Sequence, residues 1–399
     1  MKRLIFLLAF FIGTFLVFFV NDSKMLQVQA CNRKVYLWNL SNIDSLNTAT
    51  HASDLRKTIL ERAEKLVTQP PVSVTSHEKK FAPNRHYFEC IGPYWWPNSE
   101  NPFGPWINKD GKVNPESKNY DNVLMDKMTD RMQYLSIAFY ISDEKKYYDA
   151  AVSQLNVWFV NKDTYMYPNL EYGQVIPGKN ANKGRSTGII STYSFINNTL
   201  ESIRLIESKK QLPETTSKEI KKWFTDYLDW CVSSEFGIEC SKGNQNIAIA
   251  YDVMLYNMSL YTGNSKIHKR IKNNFSKTRL DVQIKQDGSQ PEELKRTMAM
   301  GYSIYNLTHI LDFCIICETE GYHYYDENKT RIDAAVDFLA SYLGRKDEWP
   351  YQQATDWNIC ERDLCVQINR MKKLKHFKAN KYKCINNFFS YSSLPIMLF

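Results

Sequence analysis

Two side chains suited to moving a proton and stabilising negative charge lie close together in the last third of the chain. Arg296 and Tyr302 follow the turn Pro291-Glu292-Glu293 at the head of a predicted helix. A tyrosine can accept and return a proton, and an arginine can stabilise an anion that develops beside it. On a helix that turns about 100° per residue, the two side chains would point roughly 120° apart. They can therefore border one cleft only if the cleft crosses the N-terminal end of this helix.

The same segment allows two other interpretations. The tyrosine could pack with Tyr305 and Leu307 against the next helix, which is the role that the residues alone favour. Glu292 or Glu293 could instead face Asp252 as the carboxylate pair of a glycoside hydrolase. An acidic residue at a helix start, however, is more often a cap or a partner of the helix dipole.

A long aromatic loop, residues 81–120, is the second feature that could carry chemistry. It is rich in Pro, Gly, Asn and Trp and shows no helical period. A loop of that length is usually functional. Tyr94, Trp95 and Trp96 at its centre predict a sugar-binding wall, because flat amphipathic rings can cover the apolar face of a sugar. Each tryptophan could instead fix the loop onto the helices.

Helices are the elements that must position these groups. Apolar residues recur at helical spacing in ten segments, and strand-like alternation is scarce. Clusters of Gly, Pro, Asn and Ser separate the segments, which predicts an all-α array of antiparallel helix pairs whose long loops gather on one face. The predicted helices are 54–68, 121–141, 144–160, 188–208, 216–235, 246–261, 266–277, 291–319, 331–343 and 361–373.

The N-terminus predicts export. A basic pair, Lys2-Arg3, precedes the apolar run 4–20 and a polar stretch. This is the layout of a secretory signal peptide, so we expect removal of residues 1–30 and a single secreted or periplasmic domain over residues 31–399. The apolar run is nearly long enough to span a bilayer, so a retained membrane anchor is the alternative. A lipid on Cys31 is a third possibility.

Composition and charge exclude several classes of protein. With 43% hydrophobic and 24% charged residues, the 399-residue chain is neither disordered nor fibrous and can fill one large domain. The net charge of +8 is a mild excess whose only concentrated run, 370–383, resembles a solvated helix face, so nucleic acid is not a predicted partner. Cys314 and Cys317 form a C-x-x-C pair inside an apolar run, without a second pair or nearby histidines at zinc spacing. We therefore expect buried thiols and no metal site.

Several ordered blocks of the sequence resemble the signature stretches of the alginate lyase domain family. The first lies in the aromatic loop, where Pro93-Tyr-Trp-Trp-Pro97 is followed by Lys109-Asp-Gly and Asn114-Pro-Glu116. The agreement of several blocks in one order makes the resemblance specific. The later blocks are Tyr167 to Gln174, Gly184-Arg185 with Gly188-Ile189-Ile190, Tyr251 to Gly263, Gln286 to Glu293 with Arg296 and Tyr302, and Trp349 to Gln353.

The resemblance implies an (α/α) toroid of antiparallel helical hairpins and a polysaccharide lyase that needs no metal or organic cofactor. Its predicted partner is an anionic polysaccharide of the alginate or polymannuronate class or the glucuronan class, cleaved by β-elimination. A base removes the C5 proton beside the carboxylate, an acid protonates the departing C4 oxygen, and a double bond forms between C4 and C5. One tyrosine can do both in turn if both groups leave from one face and nearby positive charge lowers its pKa.

The resemblance also suggests roles for individual residues. Tyr302 would be the base and acid, while Arg296 and Asn246 would hold the substrate carboxylate. The residues predicted to bind substrate are Tyr94, Trp95, Trp96, Arg85, His86, Gln245, Gln290 and Glu292.

One position departs from the family pattern. Many relatives carry Asn-Asn-His where this chain has Gln245-Asn246-Ile247, so isoleucine stands in place of the usual histidine. A shifted alignment places Gln245 there instead, and neither alignment supplies a histidine. His86 could partly replace the missing group in space, or it could anchor the aromatic loop. The departure keeps open a second function, that of a catalytically impaired protein that binds uronate polymers on the same scaffold.

Overall fold

Helices account for most of the described chain, and the predicted all-α class is confirmed. The computed structural model describes residues 34–48, 53–382 and 384, and the chain from Val35 onward forms one compact unit. The predicted signal peptide, residues 1–30, and Cys31 lie outside the described residues. Within the described ranges, no helix combines the length and the apolar character needed to span a bilayer.

Helices and strands are numbered here in chain order. The helices are α1 (Leu40–Thr48), α2 (Ser53–Thr68), α3 (Asn122–Ser142), α4 (Lys145–Leu155), α5 (Tyr193–Lys209), α6 (Glu214–Ser233), α7 (Glu235–Lys242), α8 (Asn246–Thr262), α9 (Ser265–Phe275), α10 (Asp281–Gln283), α11 (Pro291–Leu294), α12 (Ala299–Glu320), α13 (Tyr324–Glu327), α14 (Lys329–Ala340) and α15 (Trp357–Arg370). The strands are β1 (Glu89–Ile91), β2 (Trp95–Trp96), β3 (Ile107–Asn108) and β4 (Tyr172–Val175). The 3-10 segment Ser186–Thr192 precedes α5 and borders the site described below.

Helices α8 and α12 form the centre of the core. Every residue of α8 from Ala248 to Ser259 is buried, and α8 packs against α5, α6, α9 and α12. A helix that is buried on all sides must lie inside the protein. Cys314 and Cys317 of α12 are free, buried thiols, as the sequence predicts.

The predicted helix 291–319 is divided in two, so the prediction of one continuous helix was wrong. Residues 295–298 leave the helical path between α11 and α12. Met298 forms an antiparallel bridge with Gln353, whose side chain also accepts the backbone N–H of Met300 at 2.8 Å. These contacts satisfy a backbone donor that the first turn of α12 leaves without a helical partner. Arg296 therefore lies in a turn and not on the helix.

Two buried carboxylates organise the start of the aromatic loop. Glu89 accepts hydrogen bonds from the three consecutive backbone N–H groups of residues 80–82, at 2.6–2.8 Å. Asp121 accepts the N–H of Glu89 at 2.8 Å and pairs with Lys79 at 2.5 Å. Strand β1 pairs in parallel with β4, and β2 pairs antiparallel with β3. The loop therefore has a defined course although it contains no α-helix.

A further buried carboxylate fixes the segment before α1. Glu201 of α5 is fully buried and accepts the backbone N–H groups of Tyr36, Leu37 and Trp38 at 2.8, 2.9 and 3.2 Å. Its other oxygen pairs with the buried Arg204 at 2.7 Å. Removing one member of a buried ion pair leaves the other charge uncompensated.

Replacing Glu201 with glutamine should lower the free energy of unfolding by about 3–5 kcal/mol, because the buried charge of Arg204 would lose its carboxylate. Urea unfolding followed by tryptophan fluorescence measures this change. Glu61→Gln is the matched control: it removes an exposed pair with Lys57 and should cost less than about 1 kcal/mol. Equal losses in the two variants would contradict the anchoring role.

Candidate active site

A cleft of about 760 Å³ lies where the aromatic loop meets the N-terminal ends of α8 and α12. Its other walls come from β4, from the segment before α5 and from the start of α15. Five residues that the sequence predicts as site residues line the cleft, namely Tyr94, Gln245, Asn246, Arg296 and Tyr302. The three residues predicted to be catalytic are thus brought together from the heads of two helices.

An ion pair ties Arg296 to the aromatic loop. Its Nη2 and Nε atoms donate to Asp110 Oδ1 and Oδ2 at 2.6 and 3.2 Å. The backbone N–H and the hydroxyl of Thr297 donate to the same carboxylate. The Arg296 guanidinium holds the pKa of the Asp110 carboxyl below its usual range, so the pair is charged at neutral pH.

The Tyr302 ring lies against the same guanidinium. Arg296 Cζ is 3.7 Å from the ring centroid, and the Tyr302 hydroxyl donates to the Tyr94 hydroxyl at 3.0 Å. The angle expected on a continuous helix does not apply, because Arg296 lies in the turn before α12. Burial raises the pKa of Tyr302 and the bond to Tyr94 adds to the rise, whereas the charge of Arg296 opposes it. The phenol is therefore protonated at neutral pH when the cleft is empty.

A buried carboxylate fixes Asn246 at the head of α8. Glu293 accepts the backbone N–H of Asn246 at 2.7 Å and its side-chain N–H at 2.6 Å. Glu293 is 2% exposed, and burial raises its pKa, which the two N–H groups partly oppose. The contact satisfies a backbone donor of the first helical turn and sets the plane of the Asn246 amide at the cleft wall.

Close backbone packing places Arg185 on another wall. A Cβ atom on Gly184 or Gly188 would lie 2.5 or 2.3 Å from the carbonyl oxygen of Gly173, so this segment can lie directly on β4 only because both residues are glycine. The Arg185 side chain donates to Gln174 Oε1 at 2.7 Å. Gln174 adopts a φ of 54°, a left-handed conformation that is uncommon for a residue with a side chain.

Trp95 and Trp96, predicted to bind substrate, do not line the cleft. Lys179 Nζ lies 4.5 Å and Arg185 Cζ 5.8 Å from the centroid of the Trp95 ring. The Trp96 indole donates to the carbonyl oxygen of Lys112 at 2.9 Å, within the aromatic loop. Trp96 thus fixes the loop, and Trp95 supports cationic side chains.

Arg85 and His86 also lie away from the cleft wall. Arg85 forms an exposed ion pair with Glu78. His86 Nδ1 is hydrogen-bonded to the carbonyl oxygen of Tyr165 at 2.7 Å, and its ring stacks on Tyr167. These contacts match the loop-anchoring alternative for His86.

Gln290 and Glu292 are engaged outside the cleft as well. Gln290 is 1% exposed, donates to the carbonyl oxygen of Ser303 at 3.1 Å and accepts from the Asn306 side chain at 2.9 Å. Glu292 pairs with Lys295 at 2.6 Å. Gln290 therefore holds the side of α12, and Glu292 lies in a surface ion pair.

No histidine lines the cleft among the residues that the structure describes, whereas Ile247 does. His309 touches the cleft residue Tyr305, with ring centroids 4.3 Å apart, but His309 itself is 1% exposed and burial lowers its pKa to about 4. Because His309 is buried and does not line the cleft, its imidazole is not positioned to exchange a proton with a ligand there. The described ranges also contain no cluster of His, Cys, Asp or Glu suited to a metal ion.

The carboxylates that the sequence suggests for a glycoside hydrolase lie outside the cleft. Glu292, Glu293 and Asp252 do not line the cleft. Asp252 is buried and pairs with Arg279 at 2.7 Å. This placement argues against Asp252 with Glu292 or Glu293 as the carboxylate pair of a hydrolase.

Asp110 and Gln174 shape the site without having been predicted to do so, and Glu293 shapes it by holding Asn246, a role other than the one considered from the sequence. Each lies inside one of the sequence blocks that carry the family resemblance. A sequence block shows that a carboxylate or an amide is present, but it does not show which distant group that side chain will meet.

Comparisons with known proteins identify the family and the fold. Residues 72–349 match the profile of the family described as Alginate lyase. An alginate lyase from Bacteroides ovatus, known from a crystal structure, is 34% identical over 87% of this chain and 97% of its own, with a TM-score of 0.79. This similarity confirms the predicted all-α toroid.

Two further solved structures are more distant. Alginate lyase A1-III from Sphingomonas species A1 is 12% identical over 74% of this chain and 78% of its own, with a TM-score of 0.46. A variant of alginate lyase A1-III complexed with a tetrasaccharide is 13% identical over 74% of this chain and 77% of its own, with a TM-score of 0.47. A comparison with curated proteins finds no match.

Replacing Gly188 with alanine should lower the free energy of unfolding by about 1–3 kcal/mol, because the new Cβ would meet backbone atoms of β4 that cannot move aside easily. Gly301→Ala is the control, since a Cβ there would have no neighbour closer than 3.9 Å. Alanine favours a helix by up to about 1 kcal/mol, so Gly301→Ala should keep or raise stability. Urea unfolding of both variants makes the comparison, and a Gly188→Ala protein as stable as the wild type would show that the wall is not close-packed.

Proposed function

Because the chain belongs to the alginate lyase family and is a polysaccharide lyase, we propose that it cleaves a uronic-acid polymer by β-elimination, with Tyr302 as base and acid. The proposed substrate is of the alginate or polymannuronate class or the glucuronan class. The observation that carries the proposal is the position of Tyr302, which lines the cleft with the Arg296 guanidinium 3.7 Å from its ring centroid.

The proposed reaction begins from the phenolate form of Tyr302, which is the minor form at neutral pH, and returns the protein to that form. The phenolate oxygen of Tyr302 takes the C5 proton, and the electrons of the C5–H bond form the double bond between C4 and C5. The bond between C4 and the glycosidic oxygen breaks, and its electron pair stays on that oxygen. The oxygen then takes the proton back from Tyr302, so no water is consumed and the phenolate is restored.

Arg296 supports the phenolate electrostatically. A cation beside the ring favours the charged form of Tyr302, against burial, which favours the neutral form. The hydroxyl of Tyr94 can rotate to donate to the phenolate oxygen, because a phenol is both donor and acceptor. One cation therefore lies on the Tyr302 ring, and one donor lies at the oxygen that must accept the C5 proton.

Two donors at the cleft wall can hold the substrate carboxylate, on which charge builds as C5 loses its proton. Arg296 uses Nε and Nη2 on Asp110, and its Nη1 makes no hydrogen bond within the described part of the chain. Asn246 uses one side-chain hydrogen on Glu293, which leaves its second amide hydrogen for a ligand. Fixed donors stabilise developing charge without having to reorganise during the reaction.

Binding without turnover is the second candidate function. The observation that favours it is Ile247, which lines the cleft beside Asn246 where the family pattern has a histidine. An isoleucine can neither take nor give a proton, so elimination in this protein depends on Tyr302. Export by the predicted signal peptide, and with it a secreted or periplasmic location, stays a prediction.

Tyr302→Phe should lower kcat for formation of unsaturated uronate ends by about 10²–10⁴-fold, because it removes the only proton-transfer atom of the proposed mechanism. The ultraviolet absorbance of the conjugated double bond, followed on polymannuronate, mixed alginate and glucuronan, measures the change. Tyr305→Phe is the matched control, since Tyr305 lies on the same helix and lines the same cleft. It should keep activity within a few-fold.

Equal losses of kcat in the two variants would contradict a specific role of Tyr302 in proton transfer. A wild-type protein that binds these polymers but produces no absorbance would favour the second candidate function.

The pKa of Tyr302 also predicts the pH dependence. Since burial raises the pKa of the base, kcat/KM should rise with pH through the neutral and mildly alkaline range. The negative charge of Asp110 contributes to the raised pKa. Asp110→Asn removes that charge and leaves the charge of Arg296 uncompensated, so the rise of kcat/KM should move to lower pH. Loss of the ion pair with Arg296 should also lower kcat.

Asp363→Asn is the control for this shift. Asp363 also lines the cleft but pairs with Arg362, so removing the charge of Asp363 should not change the pH at which kcat/KM rises. An unchanged pH profile of kcat/KM in Asp110→Asn, or equal shifts in both variants, would contradict the proposed role of Tyr302 as the base.

A further inference from the structure

Arg185 differs from the other charged residues of the cleft in having no counter-charge beside it in the described part of the chain. The charged residues that line the cleft are Asp110, Arg185, Arg296 and Asp363. Asp110 and Arg296 pair at 2.6 Å, and Asp363 pairs with Arg362 at 2.9 Å. Arg185 has no carboxylate within ion-pair distance in the described ranges. It is thus the cleft cation whose charge a ligand could compensate.

Because this guanidinium is partly buried, its lack of a charged partner lowers the stability of the protein when the cleft is empty. Arg185 is half-buried, and its Nε atom is inaccessible to solvent and has no hydrogen-bond partner among the described residues. Glu239 acts on Arg185 only at longer range, and burial lowers the pKa of the guanidinium. A cation that loses hydration without gaining a carboxylate destabilises the empty protein. A neutral side chain would fill this place at lower cost if the role were only structural.

Gln174 holds the guanidinium in one orientation. Its Oε1 atom accepts from Arg185 at 2.7 Å and from the Thr187 hydroxyl at 3.0 Å, while its Nε2 donates to the Ser191 hydroxyl at 2.8 Å. These partners leave no freedom for the amide to flip. Because Gln174 also has a left-handed backbone, the contact is maintained at some cost in strain, which is typical of functional sites.

Trp95 lies beside the same guanidinium. Arg185 Cζ is 5.8 Å from the ring centroid. An indole at this distance favours the guanidinium electrostatically and limits the space open to it. A fork of parallel N–H groups matches the two oxygens of a carboxylate.

We propose that Arg185, held by Gln174 and Trp95, binds a carboxylate group of the uronate chain inside the cleft. This inference rests on the proposed function, because a uronate polymer is the ligand that brings carboxylates to this wall. It assigns to Arg185 a role in substrate binding that is separate from the proton transfer at Tyr302. It also predicts that the cleft binds acidic sugars more tightly than neutral sugars, since a neutral sugar would leave the charge of the guanidinium uncompensated.

The test is the Kd of a mannuronate tetrasaccharide and of a glucuronate tetrasaccharide, measured by isothermal titration calorimetry. The full chain carries Tyr302→Phe in every sample, so that the probe is not cleaved. Adding Arg185→Met should weaken the tighter probe by about 10- to 100-fold, the loss expected for a hydrogen-bonded charge. The same tetrasaccharide with its carboxyl groups reduced to alcohols should bind the two proteins equally.

Lys179→Met is the matched control. Lys179 lies 4.5 Å from the centroid of the same Trp95 ring but does not line the cleft, so removing its charge should change Kd by less than about threefold. Gln174→Glu is the second variant: it places a carboxylate at the hydrogen-bond partner of Arg185 and should weaken binding even if Arg185→Met does not fold.

Three results would overturn the proposal: an unchanged Kd in the Arg185 and Gln174 variants, an equal loss for the carboxyl-reduced probe, or no binding of either tetrasaccharide. Since the readout is binding, a wild-type protein that shows no elimination would count against the proposed function alone.

Discussion

The ion pair between Asp110 and Arg296 joins the two parts of the chain from which the cleft is built. Asp110 belongs to the aromatic loop, and Arg296 lies 186 residues further along, in the turn before α12. The pair is about one quarter exposed, with 24% and 27% of the two side chains accessible, so it contributes little to stability. Its contribution is geometric, because two parallel hydrogen bonds fix the guanidinium against the Tyr302 ring and keep the loop that carries Tyr94 at the same place.

Buried carboxylates fix the irregular segments of this helical protein in a common way. Glu89, Glu201 and Glu293 each accept backbone N–H groups that no helix or sheet satisfies. A buried backbone donor needs a partner, and a buried carboxylate needs donors, so each group removes the cost of burying the other. The helices supply the core, and these few acids determine where the loops and helix ends lie. The same arrangement positions Asn246 at the cleft.

Local sequence pattern was sufficient for the helical core and for the general place of the site. Helical periodicity predicts α8 and its neighbours, because a buried helix face requires an apolar residue every three or four positions. The break between α11 and α12 at Arg296 has no such local pattern, since it depends on Gln353 and Asp110, both far away in sequence. For the same reason, aromatic composition indicated a functional loop but not that Tyr94 would face the cleft while Trp96 would not. The family resemblance named Tyr302 and Arg296, and only the three-dimensional structure shows how they meet.

Because no histidine lines the cleft wall among the described residues, the proposed elimination depends on Tyr302. A crystal structure of the Tyr302→Phe protein with a bound oligouronate tests this most directly. We predict that C5 and the glycosidic oxygen of one sugar both lie on the same side, within roughly 3–4 Å of the position that the removed hydroxyl would occupy, with the carboxylate of that sugar at Arg296 and Asn246. A sugar whose C5 hydrogen points to Ile247 or away from the introduced phenylalanine would contradict it.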